Sequence, residues 1–270
     1  MQLSAYLDRI GWSGALRPDL DTLTALMRAH LAAVPFENLD QQLGRAVATD
    51  AAHAYDKIVV RRRGGWCFEV NTLLEWALRE IGFSVAPLSG HVGRSAETPA
   101  LTDNHKCLRV DLDAGAFLVD VGYGGSQLAP LPLTAGSTLQ APYALHISET
   151  GDGFWRLTDD AHGNVSSFDF LPEPVPADRF EGASHTLQSD PGSPFVRNLT
   201  AQRRLADRHL ILRGKVLKTV TAEATEDTLL HDADDLVACL RETFALDMPE
   251  AATLWPRIEA RHAELFPIQA

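Results

Sequence analysis

Three side chains in this sequence are of the types used by thiol acyl chemistry: Cys67, His105 and Asp120. Cys67 lies in Arg63-Gly64-Gly65-Trp66-Cys67-Phe68-Glu69-Val70-Asn71, just before the most regular helical pattern of the chain. There, Val70, Leu73, Leu74, Ala77 and Ile81 fall at i, i+3, i+4, i+7 and i+11, and Gly82 stands where a C-terminal cap is expected. Cys67 is then at or near the first turn, where unpaired N–H groups and the positive end of the helix dipole favour thiolate over thiol. Gly64 and Gly65 would let the backbone approach a substrate closely. On position alone, an inert buried cysteine is the commoner reading.

His105 opens His105-Lys106-Cys107-Leu108-Arg109-Val110, and Asp120 lies within Leu118-Val119-Asp120-Val121-Gly122-Tyr123-Gly124-Gly125. A carboxylate between Val119 and Val121 is costly to bury unless paired, and an imidazole is a natural partner. A hairpin through Asp113-Ala114-Gly115 brings the two strands together. Counting along it puts Asp120 opposite Leu108 or Arg109, so reaching His105 requires a bulge or a bend at the strand end. Together the three side chains would make a nucleophile, a base and the group that orients the base.

The elements that must position them follow from periodicity. Leu20, Leu23, Leu26, Met27, Leu31 and Val34 recur at helical spacing after Pro18-Asp19, and Pro35 ends that helix. A shorter helix is expected over about 51–60. From Ser84 to about Phe170 the pattern alternates, with Gly and Pro between short runs, as in an antiparallel barrel or sandwich. The Pro-, Asp- and Ser-rich region 172–194 reads as a long connection. Beyond it, strands flank Arg213-Gly214, a helix runs from Asp232 or Asp234 through Leu246, and a last helix lies within 252–265.

Composition excludes several functions. Hydrophobic residues make up 45% of the 270 and charged residues 22%, ordinary for a soluble globular protein. No run approaches the roughly 18 apolar residues of a membrane span. The N-terminus lacks the parts of a signal peptide, so a cytoplasmic location is expected. With 24 Lys plus Arg against 36 Asp plus Glu, the formal charge of −12 argues against a nucleic-acid partner and leaves any anionic cofactor to local features. The three cysteines form no C-x-x-C pair and there is no H-E-x-x-H, so neither a disulfide framework nor a metal site is expected. Cys107 and Cys239 read as structural.

The segments Arg63–Asn71, Val34-Pro35-Phe36-Glu37-Asn38-Leu39 and Val119-Asp120-Val121-Gly122-Tyr123-Gly124 resemble, in order and spacing, the signature motifs of the arylamine N-acetyltransferases. Ser193-Pro194-Phe195-Val196-Arg197-Asn198 resembles a further family region more loosely. The resemblance implies an α+β fold with a cysteine-protease-like Cys-His-Asp core. Its parts would be a helical bundle over 1–83 carrying Cys67, an antiparallel β-barrel over 84–190 carrying His105 and Asp120, and an α/β lid over 191–270. It implies ping-pong transfer of acetyl from acetyl-CoA, as co-substrate, through a Cys67 thioester to a small aromatic amine or hydrazine. No permanently bound cofactor and no metal are implied, and the protein would be a monomer or homodimer.

Supporting roles follow by position. Glu37 and Arg63 resemble a family ion pair bracing the cysteine loop; the alternative is two solvated surface charges. Asn71 would join the Asp120 network, or be an ordinary exposed helix residue. The N–H groups of Phe68, Gly122, Gly124 and Gly125 are candidates for the oxyanion or the cofactor, although strand ends commonly carry such glycines. Phe36, Tyr123 and Phe195 would line the acceptor pocket, with Tyr123 where the family often has Phe. The competing readings are a papain- or transglutaminase-like thiol hydrolase, a macrolactam-forming amide synthase of the same superfamily, and an inactive binding protein.

Overall fold

The computed structural model describes residues 1–94 and 102–267. The N-terminal part is helical: α1 (Leu3–Ile10), α2 (Leu20–Ala33), the short α3 (Leu39–Gln42), α4 (Ala51–Tyr55) running into a π turn (Asp56–Val60), and α5 (Cys67–Ile81). The sequence reading contained no α1; this helix is short and buries only Tyr6, Arg9 and Ile10 fully. Asp19 starts α2 by accepting the Thr22 N–H at 2.8 Å. Leu23, Leu26, Met27 and Leu31 of α2 share one core with Val70, Leu73, Leu74 and Ala77 of α5. Gly82, at φ 104, closes α5 in the left-handed region.

The middle of the chain forms one antiparallel sheet. Its strands are β2 (Ser84–Val92), β3 (His105–Leu112), β4 (Gly115–Val119), β5 (Leu131–Pro132), β6 (Gly136–Gln140), β7 (Tyr143–Glu149), β8 (Trp155–Ala161) and β9 (Asn164–Phe170), in the order β5-β4-β3-β2-β9-β8-β7-β6. The sheet curls into a nearly closed barrel, because inward side chains of distant strands share one core: Leu88, Cys107, Leu118, Leu145, Leu157 and Phe168. The outer face of β3 and β4 belongs to the helical core instead, through Leu108, Val110 and Val119. One sheet therefore connects the nucleophile's helix to the barrel.

The two-residue strand β1 (Phe36–Glu37) leaves the helical part and joins the C-terminal sheet. It pairs with β10 (Thr200–Arg204), followed by β11 (Arg208–Arg213), β12 (Val216–Thr221) and β13 (Thr225–Leu229). Behind this sheet lie α8 (Ala233–Phe244), a 3₁₀ turn (Pro249–Leu254) and α9 (Trp255–Leu265). Asp232 is the α8 cap, accepting the Asp235 N–H at 2.8 Å. The helix stops at Phe244, short of the expected Leu246, because Ala245 turns left-handed at φ 56.

Region 172–194 is not a bare connection. It contains a 3₁₀ turn (Ala177–Phe180), helix α6 (Glu181–Ser189) and, at its end, the start of α7 (Pro194–Arg197). Phe180, Ala183 and Leu187 bury against Trp66 and Phe68. Three apolar residues at helical spacing were enough to form the element, within a composition that otherwise signals a loop.

Candidate active site

Cys67 is the first residue of α5 and is 3% exposed. The helix start is set by Glu69, whose Oε2 accepts the Trp66 N–H at 3.2 Å, while the N–H groups of Glu69 and Val70 bond the Trp66 carbonyl. Among the described residues, the Cys67 and Phe68 N–H groups meet no acceptor, so they remain free at the positive end of the helix.

The hairpin brings the imidazole and the carboxylate together. Leu108 pairs with Val119, so Asp120, one residue past the end of β4, falls level with Cys107. This corrects the count of Leu108 or Arg109 by one position, and no bulge is needed. His105 is then the diagonal neighbour of Asp120 on the same face, within side-chain reach. His105 Nε2 lies 2.6 Å from Asp120 Oδ2, and both residues are buried. With Nε2 engaged, Nδ1 is the ring nitrogen left for a second partner, and the nearby Cys67 adds to the groups that favour the charged ring.

Burial alone would lower the His105 pKa. The Asp120 charge and hydrogen bond, with the contact from Cys67, outweigh it and push the imidazole up to about 10. His105 therefore holds a proton through the neutral range. Asp120 Oδ1 accepts from Asn71 Nδ2 at 2.9 Å and from the Gly122 N–H at 2.7 Å. Asn71 also donates to the Lys106 carbonyl at 2.6 Å and accepts the Val121 N–H at 3.1 Å, tying α5, β3 and the Asp120 loop together.

The glycines act differently from the sequence expectation. A Cβ on Gly64 would sit 2.1 Å from the Pro35 carbonyl oxygen, and one on Gly65 would meet Glu69 Cβ at 2.8 Å. The close approach is thus to the protein's own chain rather than to a substrate. At Gly122 a Cβ would lie 2.6 Å from Asn71 Nδ2 and 2.7 Å from Cys67 Cα. Its N–H is already given to Asp120, so it is not on offer to an oxyanion. Gly124 and Gly125, at φ 75 and 84, turn the chain over Gln202, Arg204 and His209.

Glu37 and Arg63 meet at 2.8 Å and both are buried, so they are not solvated surface charges. Around the sulfur's end of α5, Phe195 lies 6.3 Å from Phe36 and 5.4 Å from Trp66, centroid to centroid. Tyr123 stands on the other side, 5.6 Å from His105 and 4.6 Å from Phe168. Sequence reasoning missed Phe168, whose ring is only 4.8 Å from His105. It falls within the alternating region that ends near Phe170, and nothing local in the sequence sets it beside the imidazole. Cys107 is fully buried, and burial drives its thiol pKa well up, as expected of an unreactive core cysteine. Among the described residues, no cluster of His, Cys, Asp or Glu could hold a metal ion, and no helix is long and apolar enough to cross a membrane.

The N-acetyltransferase family model matches residues 19–253. The chain belongs to the arylamine N-acetyltransferase family. It is 38% identical to the arylamine N-acetyltransferase of Mycolicibacterium smegmatis, over 98% of both chains. It is 36% identical to that of Escherichia coli (strain K12), over 92% of this chain and 90% of the relative. The structure of Mycobacterium marinum arylamine N-acetyltransferase in complex with CoA superposes with a TM-score of 0.87 at 32% identity, covering 96% of this chain and 98% of that one. The M. smegmatis structure gives 0.88 at 35% identity, covering 96% and 97%. At such coverage the family's fold extends through all three parts described above.

Proposed function

We propose that this chain is an acetyl-CoA-dependent arylamine N-acetyltransferase in which Cys67, His105 and Asp120 form a catalytic triad. The observation that carries the reading is the buried line of contacts from Asp120 through His105 to Cys67, at the start of α5. Family membership supports the donor and the acceptor class.

In the first half-reaction the Cys67 thiolate, paired with the His105 imidazolium, attacks the thioester carbonyl of acetyl-CoA. The carbonyl oxygen becomes an oxyanion beside the free N–H groups of Cys67 and Phe68. Collapse breaks the carbon–sulfur bond to CoA, whose sulfur takes the proton from His105, and the acetyl group stays on Cys67. In the second half, the amine nitrogen of an arylamine or arylhydrazine attacks the acetyl carbonyl and gives its proton to His105. An N-hydroxyarylamine would accept through oxygen in the same way. Breaking the Cys67–carbonyl bond regenerates the thiolate and imidazolium. Asp120 keeps Nε2 hydrogen-bonded throughout, which presents Nδ1 to the sulfur.

Phe195 and Phe36 on one side and Tyr123 on the other are suited to flank an aromatic acceptor. Gly124 and Gly125 are the remaining backbone donors for the CoA side. Division at 1–83, 84–190 and 191–270 fits this scheme, with Phe36–Glu37 of the first unit contributing an edge strand to the third.

The test is intact mass after acetyl-CoA alone and then after an arylamine. One acetyl should appear, vanish on amine addition, and never form in Cys67→Ala. Absence of the adduct in the native protein refutes the donor, and decay of the adduct at the same rate without amine indicates hydrolysis.

A further inference from the structure

Beneath the cysteine loop lies a buried ionic cluster that the triad does not use. Lys57, in the π turn after α4, is fully buried. Its Nζ lies 2.9 Å from Asp40 Oδ2, 2.9 Å from Glu69 Oε2 and 3.8 Å from Glu37 Oε1. Arg63 completes the set, 2.8 Å from Glu37 and 3.4 Å from Asp40. Three carboxylates thus face two cations. They come from β1, α3, the π turn, the Arg63 loop and the first turn of α5.

This arrangement has a direct route to the nucleophile. Glu69 is two residues past Cys67, and the same oxygen accepts hydrogen bonds from the Lys57 ammonium and the Trp66 N–H. The loop before Cys67 is stitched to β1 by Glu37 N–H to the Gly65 carbonyl at 3.0 Å and Gly65 N–H to the Pro35 carbonyl at 3.2 Å. Lys57 ties these supports together, because it bonds Asp40 and Glu69 at once. Burying one ammonium among three carboxylates is worthwhile only if each contact is kept, so the geometry is tightly determined.

We infer that Lys57 is a positioning residue for acyl transfer: by holding Asp40 and Glu69 together it fixes the Arg63–Trp66 loop, and with it Cys67, against α5. Glu69 is the adjustable member. Its Oε1 is buried with no hydrogen-bond partner, the nearest basic side chain being His53, with Nε2 at 3.7 Å. Burial raises its pKa, Lys57 opposes this, and the result is about 7. The groups facing Glu69 are Lys57, Glu37, His53 and the Trp66 N–H, with Asp40 and Arg63 linked through Lys57 and Glu37. As pH rises through 7, Glu69 ionises fully, tightens on Lys57 and fixes the start of α5.

The inference rests on the Cys67 acyl-transfer reading, which the native protein's acetyl adduct tests separately. The experiment measures the rate of Cys67 alkylation by iodoacetamide, and of single-turnover acetylation by acetyl-CoA, from pH 6 to 9. It compares the native protein with Lys57→Met, Glu69→Gln and His53→Gln, with circular dichroism as the folding check. His105 stays protonated up to about 10, so an inflection near 7 does not belong to it. The expected result is an inflection near 7 in the native protein and in His53→Gln that disappears in Glu69→Gln. Lys57→Met should acetylate roughly tenfold or more slowly, as a small misplacement of the sulfur implies. Glu69→Gln leaves two carboxylates facing two cations, so it is expected to fold and decides the matter even if Lys57→Met does not. A native pH profile in Glu69→Gln, or loss of the inflection in His53→Gln instead, overturns the inference. So does a folded Lys57→Met that acetylates at the native rate.

Discussion

Replacing Gly122 by alanine separates two roles for the loop after Asp120. Gly122 has ordinary backbone angles, outside the left-handed region, so alanine is conformationally acceptable and keeps the N–H that bonds Asp120. Only the new methyl group matters. It would lie 2.6 Å from Asn71 Nδ2 and 2.7 Å from Cys67 Cα, whereas ordinary contacts begin at 3.4 Å, so the loop and the start of α5 must part by about 0.7–0.8 Å. Overpacking of this kind costs about 1–3 kcal/mol. In a chain of this size each kcal/mol lowers Tm by about 2–4 °C. The same displacement separates Asp120 and His105 from Cys67. Misplacement near 1 Å costs about a hundredfold in rate, or about 2.7 kcal/mol of barrier. Single-turnover acetylation of Cys67, followed by mass, should therefore slow by about ten- to a hundredfold, with a Tm lower by several degrees. A variant with native Tm acetylating within twofold of the native rate would refute the packing argument. It would return Gly122 to being a mere N–H donor, since alanine preserves that donor.

Asp120→Asn should keep the fold's shape while removing the charge that holds the His105 proton, and slow the first half-reaction by about a thousand- to ten-thousandfold, measured by stopped-flow acetylation. The same substitution should alter the pH dependence of stability. A His105 pKa raised to about 10 stabilises the fold fully below the ordinary histidine value of about 6.5, and this stabilisation is lost as pH rises through 10. Native Tm should therefore fall between pH 7 and 10, and the slope should flatten in Asp120→Asn. Gly64→Ala, whose methyl would lie 2.1 Å from the Pro35 carbonyl, should cost at least about 3 kcal/mol and yield little soluble protein. Gly136→Ala, facing open space, should change neither solubility nor Tm.

What the sequence made legible, and what it did not, depends on how local the cause is. The place of Cys67 follows from a helical period and two glycines within about twenty residues, and a hairpin turn nearly fixed the register of Asp120. The count missed by one residue, yet that one residue decided whether a bulge was required. The Asp113–Gly115 turn holds Leu112 against Gly115, which carries Leu108 to Val119 and makes His105 a diagonal neighbour of Asp120. Non-local causes stayed hidden. Lys57 carried no sequence signal, because its three carboxylates come from Glu37, Asp40 and Glu69 on different elements. Helix α6 was masked because Phe180, Ala183 and Leu187 find their partners, Trp66 and Phe68, more than a hundred residues earlier.

The glycines show the same limit from the other side. Residue type revealed that Gly64, Gly65 and Gly122 leave room, but not for what. In each case the space is filled by the protein itself: a carbonyl of Pro35, the side chain of Glu69, the Cα of Cys67. The motif spelled by these residues therefore encodes packing around the nucleophile more than contacts with a ligand. It follows that substitutions in it should damage the position of the sulfur before they damage binding. In steady-state terms kcat should fall with KM for the amine little changed, whereas substitutions at Phe195 or Tyr123 should move KM first.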